Sequence, residues 1–180
     1  MNLEFKKNNG GRSMKKLVFI SLLTICFLLL PSAAFGLNTA EVRAKGGEIT
    51  LMFVGDYGLQ LGAEYGITPE IGAYVEMRNN SSKIGAKYEV DSNIALLVGA
   101  INKAPFLGAN ASMALDQYVD IMGGFNLSLA NSQLIAMCEL GLAFKVVENV
   151  DLRGGLLGEV NPNNENARAI SFQLGLGITY

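Results

Sequence analysis

The side chains that could do chemistry in this chain are carboxylates, lysines and arginines, because the sequence contains no histidine. The chain therefore lacks the commonest general base and the commonest metal ligand of proteins. It contains no paired nucleophile and base, no cluster of metal ligands and no glycine-rich phosphate loop. Carboxylate pairs could in principle transfer protons, but ion pairing inside the fold is their ordinary explanation. The sequence predicts a protein that is not an enzyme and that holds no metal or cofactor.

The first 36 residues have the pattern of a secretory signal peptide. Five basic residues lie between positions 6 and 16, an apolar run extends from 17 to 30, and small residues follow Pro31. The run is shorter than the about 20 residues that a membrane-spanning helix needs. Cleavage is expected after Gly36, with Ala34 as the alternative, and Met14 is a second candidate for the start codon.

Beyond residue 36 the chain has a net charge of −6, since five of its 14 basic residues and one of its 16 acidic residues precede that point. This balance argues against nucleic acid as a partner. Cys138 is the one cysteine in this part, so an internal disulfide is excluded.

Apolar and polar residues alternate most regularly over residues 170–180, where every second residue is apolar. This period of two predicts a strand with one apolar face, and the strand ends on an aromatic residue at the chain terminus. Together with the export signal, it resembles the bacterial outer-membrane β-barrel proteins, which include small porin-like barrels and usually end on Phe. The resemblance implies outer-membrane lipid as surroundings, and the secretion and barrel-assembly machineries as partners. The expected assembly signal is Phe172, Leu174, Leu176, Ile178 and Tyr180.

Four copies of a short turn pattern begin at Tyr65, Tyr88, Met113 and Phe144, and five polar breaks alternate with them along the chain. Four turns at one end and five at the other predict an all-β, closed, antiparallel up-and-down transmembrane barrel of ten strands, with eight as the fallback. The barrel would occupy residues 47–180, and residues 37–46 would be a periplasmic lead-in or the start of the first strand. The predicted strands are 47–54, 57–67, 71–78, 82–90, 94–101, 106–115, 119–127, 133–146, 150–160 and 167–180.

The alternation also separates the two faces of the barrel. The apolar, lipid-facing side of the second strand would be Tyr57, Leu59, Leu61, Ala63, Tyr65 and Ile67. The inward side carries almost all of the mid-strand charge. The predicted lumen-lining residues are Glu64, Glu76, Arg78, Lys87, Glu89, Asp120, Glu139, Lys145, Asp151, Arg153 and Glu159, with Lys83 among them.

Apolar residues also point inward, toward the outer loops: Leu97, Ile101, Met122, Ile135, Met137 and Leu157. Packing of these residues would make a structural or surface barrel with a narrow lumen filled by side chains. A narrow porin-like channel for small solutes is the first alternative, and a barrel that binds a small apolar ligand is the second. Ten strands lie between the side-chain-filled interior of about eight and the aqueous channel of about 16.

Overall fold

The structure is a computed structural model, and it describes residues 37–79, 81–130, 133–160 and 168–180. The predicted signal peptide and the whole of the predicted loop at 161–166 lie outside these residues. Ten strands alternate with short turns, as the sequence predicted, and the largest shift of a strand boundary is three residues. The strands are β1 Gly47–Val54, β2 Gly58–Gly66, β3 Ile71–Arg78, β4 Ser81–Asp91, β5 Ile94–Ile101, β6 Ala104–Ala114, β7 Val119–Ala130, β8 Gln133–Val147, β9 Val150–Val160 and β10 Arg168–Thr179.

Each strand pairs antiparallel with its neighbours in sequence, and β1 pairs with β10, so the sheet closes into a barrel. Glu48 lies opposite Thr179 and Val54 lies opposite Gln173, which fixes the register of the closing pair. The turns at 67–70, 92–93, 115–118 and 148–149 share one end with Tyr180, which we name the terminal end. The opposite end, which we name the loop end, holds the other connections. Among the described residues, no helix is long and apolar enough to cross a membrane.

Burial follows the period of two along the strands. In β1, Glu48, Thr50, Met52 and Val54 are buried while the residues between them are exposed. The outward residues of the described strands include many large apolar side chains, among them Leu61, Ile84, Leu107 and Phe172. The core of the protein is therefore the lumen, and the apolar surface is its exterior.

Tyr57 differs from the predicted pattern. It lies in a short 3₁₀ turn, Gly55–Tyr57, and is partly buried against Met52, Val54 and Leu157. The guanidinium carbon of Arg78 lies 4.1 Å from the centre of its ring. Tyr57 therefore does not belong to the exterior face of β2, because the tight turn interrupts the alternation before the strand begins.

Candidate functional site

The lumen contains a piece of the chain itself. Residues 37–43, which we name the luminal segment, precede β1 and lie inside the barrel, where Leu37, Ala40 and Val42 are buried. The chain then reverses at the terminal end through a turn in which the Gly46 N–H donates to the Arg43 carbonyl at 3.0 Å. Lys45 adopts a left-handed backbone with φ of 59° in this turn. The structure thus places residues 37–43 in the lumen, and residues 44–46 form the turn at the terminal end that leads into β1.

Side chains from several strands bind the backbone of the luminal segment. Arg153 Nη1 donates to the Leu37 carbonyl at 2.7 Å, and Lys87 Nζ donates to the Glu41 carbonyl at 3.0 Å. The Val42 N–H donates to Glu89 Oε2 at 2.5 Å. Two further bonds, from the Ala40 N–H to Ser112 Oγ and from Asn38 Nδ2 to Glu76 Oε1, measure 3.1 and 2.7 Å. Four of these bonds satisfy backbone groups that burial would otherwise leave unpaired, and the bond from Asn38 satisfies a side-chain amide.

Arg153 is the centre of the largest ion-pair cluster that the described residues form around the segment. Its side chain is 0% exposed, and Nη1 and Nη2 donate to the two carboxylate oxygens of Glu48 at 2.8 and 2.5 Å. Nε and Nη2 also contact the Asp151 carboxylate. Gly177 faces the guanidinium so closely that a Cβ at position 177 would collide with it. The charge is paired in the bidentate geometry that suits arginine and carboxylate.

Two lysines extend the charged layers of the lumen. Lys87 Nζ lies 2.6 Å from Glu64 Oε2, and Lys83 Nζ lies 3.4 Å from Glu76 Oε1. Lys83 Nζ also lies over two aromatic rings, 5.2 Å from the centre of Tyr74 and 5.3 Å from that of Phe106. Both ammonium groups are therefore held in fixed positions and are shielded from solvent.

The inward apolar residues form clusters rather than an open wall. Leu97, Ile101 and Met137 pack with Tyr74 and Phe106, and Ile135 lies against this group. Leu157 packs separately with Met52 and Val54 toward the loop end. Met122 does not lie with the loop-end residues, as the sequence interpretation placed it. It contacts Leu37 and Ala143 instead.

A cavity of about 240 Å³ lies at the terminal end, between the luminal segment and strands β6 to β9. Its charged lining includes Glu41, Arg43, Asp120, Lys145 and Asp151. Lys145 pairs with Asp120 at 3.0 Å, but 45% of its side chain is exposed, so it lies at the mouth of the lumen. Arg78 and Glu159 are half-buried near the loop end of the barrel.

Glu139 has a different environment from the other inward carboxylates. The residue is 5% exposed, and its Oε2 atom has no hydrogen-bond partner among the described residues. The side-chain oxygens of Asn110 and Asn126 are also buried without a hydrogen-bond partner among the described residues. Asn110 is on β6, opposite Gly124, and Asn126 is on β7, opposite Met137 of β8.

The structure brings most of the predicted lumen-lining residues together around the luminal segment. The position of this segment inside the barrel was not predicted from the sequence. A signal for the segment was nevertheless present in the row of inward glycines. Gly141 and Gly155 are opposite each other on β8 and β9, and both face the Leu37 side chain. Two adjacent inward positions without side chains leave space in a narrow barrel, and a separate element of the chain can fill that space.

In the described ranges, no group of three or more Asp, Glu or Cys residues is placed to hold a metal ion. The carboxylates Glu48, Glu64, Glu76 and Asp151 contact lysine or arginine side chains. The arrangement can therefore hold the luminal segment and the surrounding strands in place.

No family model and no curated protein sequence matches this chain. Among solved structures, the chain is similar to the KdgM porin, with 10% identity, a TM-score of 0.47 and coverage of 75% of this chain and 99% of that chain. It is similar to the N-terminal β-barrel domain of Pseudomonas aeruginosa OprF, with 15% identity, a TM-score of 0.37 and coverage of 76% and 98%. A designed transmembrane β-barrel has 10% identity, a TM-score of 0.39 and coverage of 78% and 99%. These likenesses concern the barrel fold and carry no function to this chain.

Proposed function

We propose that this chain is a non-enzymatic, integral outer-membrane β-barrel whose lumen is closed by its own side chains and by the luminal segment. The apolar exterior supports a membrane location. Soluble proteins rarely expose apolar patches beyond a few hundred Å², whereas outward apolar side chains such as Leu61, Ile84 and Leu107 recur around this barrel. Closure of the sheet pairs β1 with β10, so no strand edge would face lipid.

The observation that carries the closed-lumen proposal is the position of residues 37–43. Leu37, Ala40 and Val42 occupy the lumen, and side chains from several strands bind the segment. Toward the loop end, the cluster of Tyr74, Leu97 and Phe106 and the cluster of Met52, Val54 and Leu157 fill the interior. Two obstacles therefore lie in series along the axis, and a structural or surface barrel fits both.

A narrow porin-like channel is the second candidate. The terminal half supports it, because it is polar and contains the cavity of about 240 Å³. A continuous path would require the luminal segment to leave and the loop-end clusters to open. The apolar-ligand barrel has less support, since Leu97, Ile101 and Met137 pack against one another.

Single-channel recording in a planar bilayer tests the proposal. The processed protein purified from outer membranes should give no discrete conductance steps, with heat-modifiable gel migration proving that the barrel is folded. A folded variant that lacks residues 37–43 should also be silent, because the loop-end clusters remain. Steps in the unaltered protein that change on Glu76→Gln or Arg153→Ala would contradict closure. Steps that arise only after the deletion would favour the channel with a removable plug.

A further inference from the structure

The barrel holds the luminal segment through backbone groups of the segment. Four hydrogen bonds join barrel side chains to the Leu37 carbonyl, the Ala40 N–H, the Glu41 carbonyl and the Val42 N–H. The barrel side chains are those of Arg153 on β9, Ser112 on β6, and Lys87 and Glu89 on β4. Bonds of this kind do not depend on the side chains of the bound residues. In sites that recognise peptides, bonds to the main chain supply affinity and pockets supply specificity.

A pocket for one side chain lies at the inner end of the segment. Leu37 is 1% exposed and packs with Met122 and Ala143. Its Cδ1 atom occupies space that a side chain at Gly141 or Gly155 would otherwise fill. The pocket therefore suits a large aliphatic side chain, and it adds the sequence preference that the backbone bonds lack.

The outer end of the segment borders free space. The carboxylate of Glu41 pairs with the guanidinium of Arg43, and the two side chains are 50% and 39% exposed. Together with Thr39 they line the cavity of about 240 Å³, whose opposite wall is formed by residues of β6 to β9. One flank of the segment is therefore not packed against the barrel, and the cavity gives a peptide room to enter from the terminal end.

The strand pairs that close the barrel form without the luminal segment. Strand β1 pairs with β2 and β10 through residues 47–54. The turn that follows the segment has its own anchors, because the Lys45 N–H donates to the Gly66 carbonyl and the Gly66 N–H donates to the Gly46 carbonyl, both at 2.9 Å. Residues 37–43, which contain no helix or strand, therefore resemble a ligand that is attached to the barrel by a turn.

We propose that the terminal half of the lumen is a binding site for a short, non-helical peptide, and that residues 37–43 occupy it as an intramolecular ligand. A large aliphatic residue fills the pocket of Leu37, and the backbone bonds hold the residues that follow it. The turn gives the segment a high effective concentration, so the segment excludes peptides in solution. This inference goes beyond the closed lumen proposed above, since it assigns a class of ligand to the site.

Binding of a synthetic peptide to the folded barrel tests the site. The peptide has the sequence of residues 37–43, an acetylated N-terminus and a fluorophore after residue 43. In the full-length chain, Ala40→Pro removes the N–H that donates to Ser112 and adds a ring where the side chain is 0% exposed, so it should release the segment. Fluorescence anisotropy should show saturable binding to this purified barrel, at least about tenfold tighter than to the unaltered one. A barrel that lacks residues 37–43 should bind the peptide in the same way.

Variant peptides separate the pocket from the exposed end of the segment. The Leu37→Ala peptide should bind at least about tenfold more weakly, because it leaves the pocket unfilled. The Glu41→Gln peptide should bind as tightly as the original, since the Glu41 carboxylate contacts Arg43 of the same segment. Equal binding of the Leu37→Ala and original peptides would overturn the pocket and the proposal with it.

Two serines of the cavity wall provide a matched pair of variants in the barrel that lacks residues 37–43. Ser112→Ala removes the acceptor of the Ala40 N–H and should weaken peptide binding several-fold. Ser92→Ala lies on the same cavity, but the Ser92 hydroxyl contacts Asn93, so binding should not change.

Two results with the altered barrels would refute the peptide site. The first is an absence of saturable binding to both barrels when their heat-modifiable gel migration shows that they are folded. The second is failure of both barrels to fold, because the segment would then belong to the folding unit and would not be a separable ligand. Conductance distinguishes this inference from the closed lumen. A conducting barrel that binds the peptide would refute closure alone, and a silent barrel that binds none would refute the site alone.

Discussion

Gly177 shows how closely one inward position is matched to a side chain of the adjacent strand, Arg153 of β9. A Cβ at position 177 would collide with the guanidinium group of Arg153, and that group cannot swing away without breaking its bonds to Glu48 and Asp151. The end of an arginine side chain is normally flexible, but here two carboxylates hold it. The cost of adding one methyl group therefore depends on the ion-pair cluster.

We predict that Gly177→Ala destabilises the folded barrel by about 1–3 kcal/mol, the usual range for overpacking in a filled interior. The matched control is Gly154→Ala on β9, where an added Cβ would meet Leu174 Cδ1 at 3.6 Å, an ordinary contact. That change should be neutral or slightly stabilising, since alanine loses less backbone freedom on folding than glycine. Urea unfolding in lipid vesicles measures both. Equal effects of the two substitutions would show that Arg153 is free to move.

At the scale of elements, the strands were predictable and the luminal segment was not. A strand can be predicted from local sequence, because apolar residues such as Phe172 and Leu174 alternate with polar ones, and this alternation does not depend on the partner strand. The segment is defined by distant contacts, such as the bond from Arg153 to the Leu37 carbonyl, which joins residues 116 apart in sequence. Of its apolar residues, only Ala40 and Val42 are two positions apart, and this run is too short to predict an element.

The same distinction applies within the candidate site. The inward position of Glu76, Lys87 and Arg153 followed from alternation alone. Their pairings depend on register and strand tilt, which sequence does not reveal. Met122 was misplaced along the axis for the same reason, since alternation gives the face of a residue and not its height.

Strand β10 closes the barrel, and Tyr180, the residue that follows it, makes contacts with residues of β1 and β2. The Tyr180 N–H donates to the Gly47 carbonyl at 3.1 Å, and the Gly47 N–H donates to the Tyr180 carbonyl at 3.0 Å. The Tyr180 hydroxyl donates to the Glu64 carbonyl at 3.3 Å. The outward row Phe172, Leu174, Leu176, Ile178 and Tyr180 is exposed along its whole length, so an assembly factor could read it.

We predict that Tyr180→Ala lowers the amount of folded protein in the outer membrane several-fold, while Tyr180→Phe preserves it. Both variants lose the hydroxyl bond to Glu64, and only the first loses the terminal aromatic ring. Tyr118→Ala is the control, because Tyr118 is an equally exposed aromatic at the terminal end but lies in a turn. The heat-modifiable band per cell measures the yield. If Tyr180→Ala and Tyr118→Ala lowered the yield of folded protein equally, Tyr180 would not be part of the assembly signal.

For the whole molecule, the polarity of the exterior at each height along the barrel axis decides whether the barrel lies in a membrane. An apolar band that lies in lipid makes a charged substitution costly at mid-height and inexpensive near either end. Leu174 and Val90 allow a matched comparison, since they are 53% and 54% exposed. Leu174 lies midway along β10, opposite Phe53, whereas Val90 is next to the last residue of β4 at the terminal end.

We predict that Leu174→Arg destabilises the barrel in phospholipid vesicles by about 2–4 kcal/mol and that Val90→Arg costs about 0–1 kcal/mol. The physical reason is that arginine near the interface reaches the headgroups, while arginine at mid-height must be taken into hydrocarbon or must thin the bilayer. Reversible urea unfolding of both variants in the same vesicles measures the difference. Equal and small costs would mean that the apolar band does not face lipid, and the membrane location proposed for this barrel would then fail together with its role in the outer membrane.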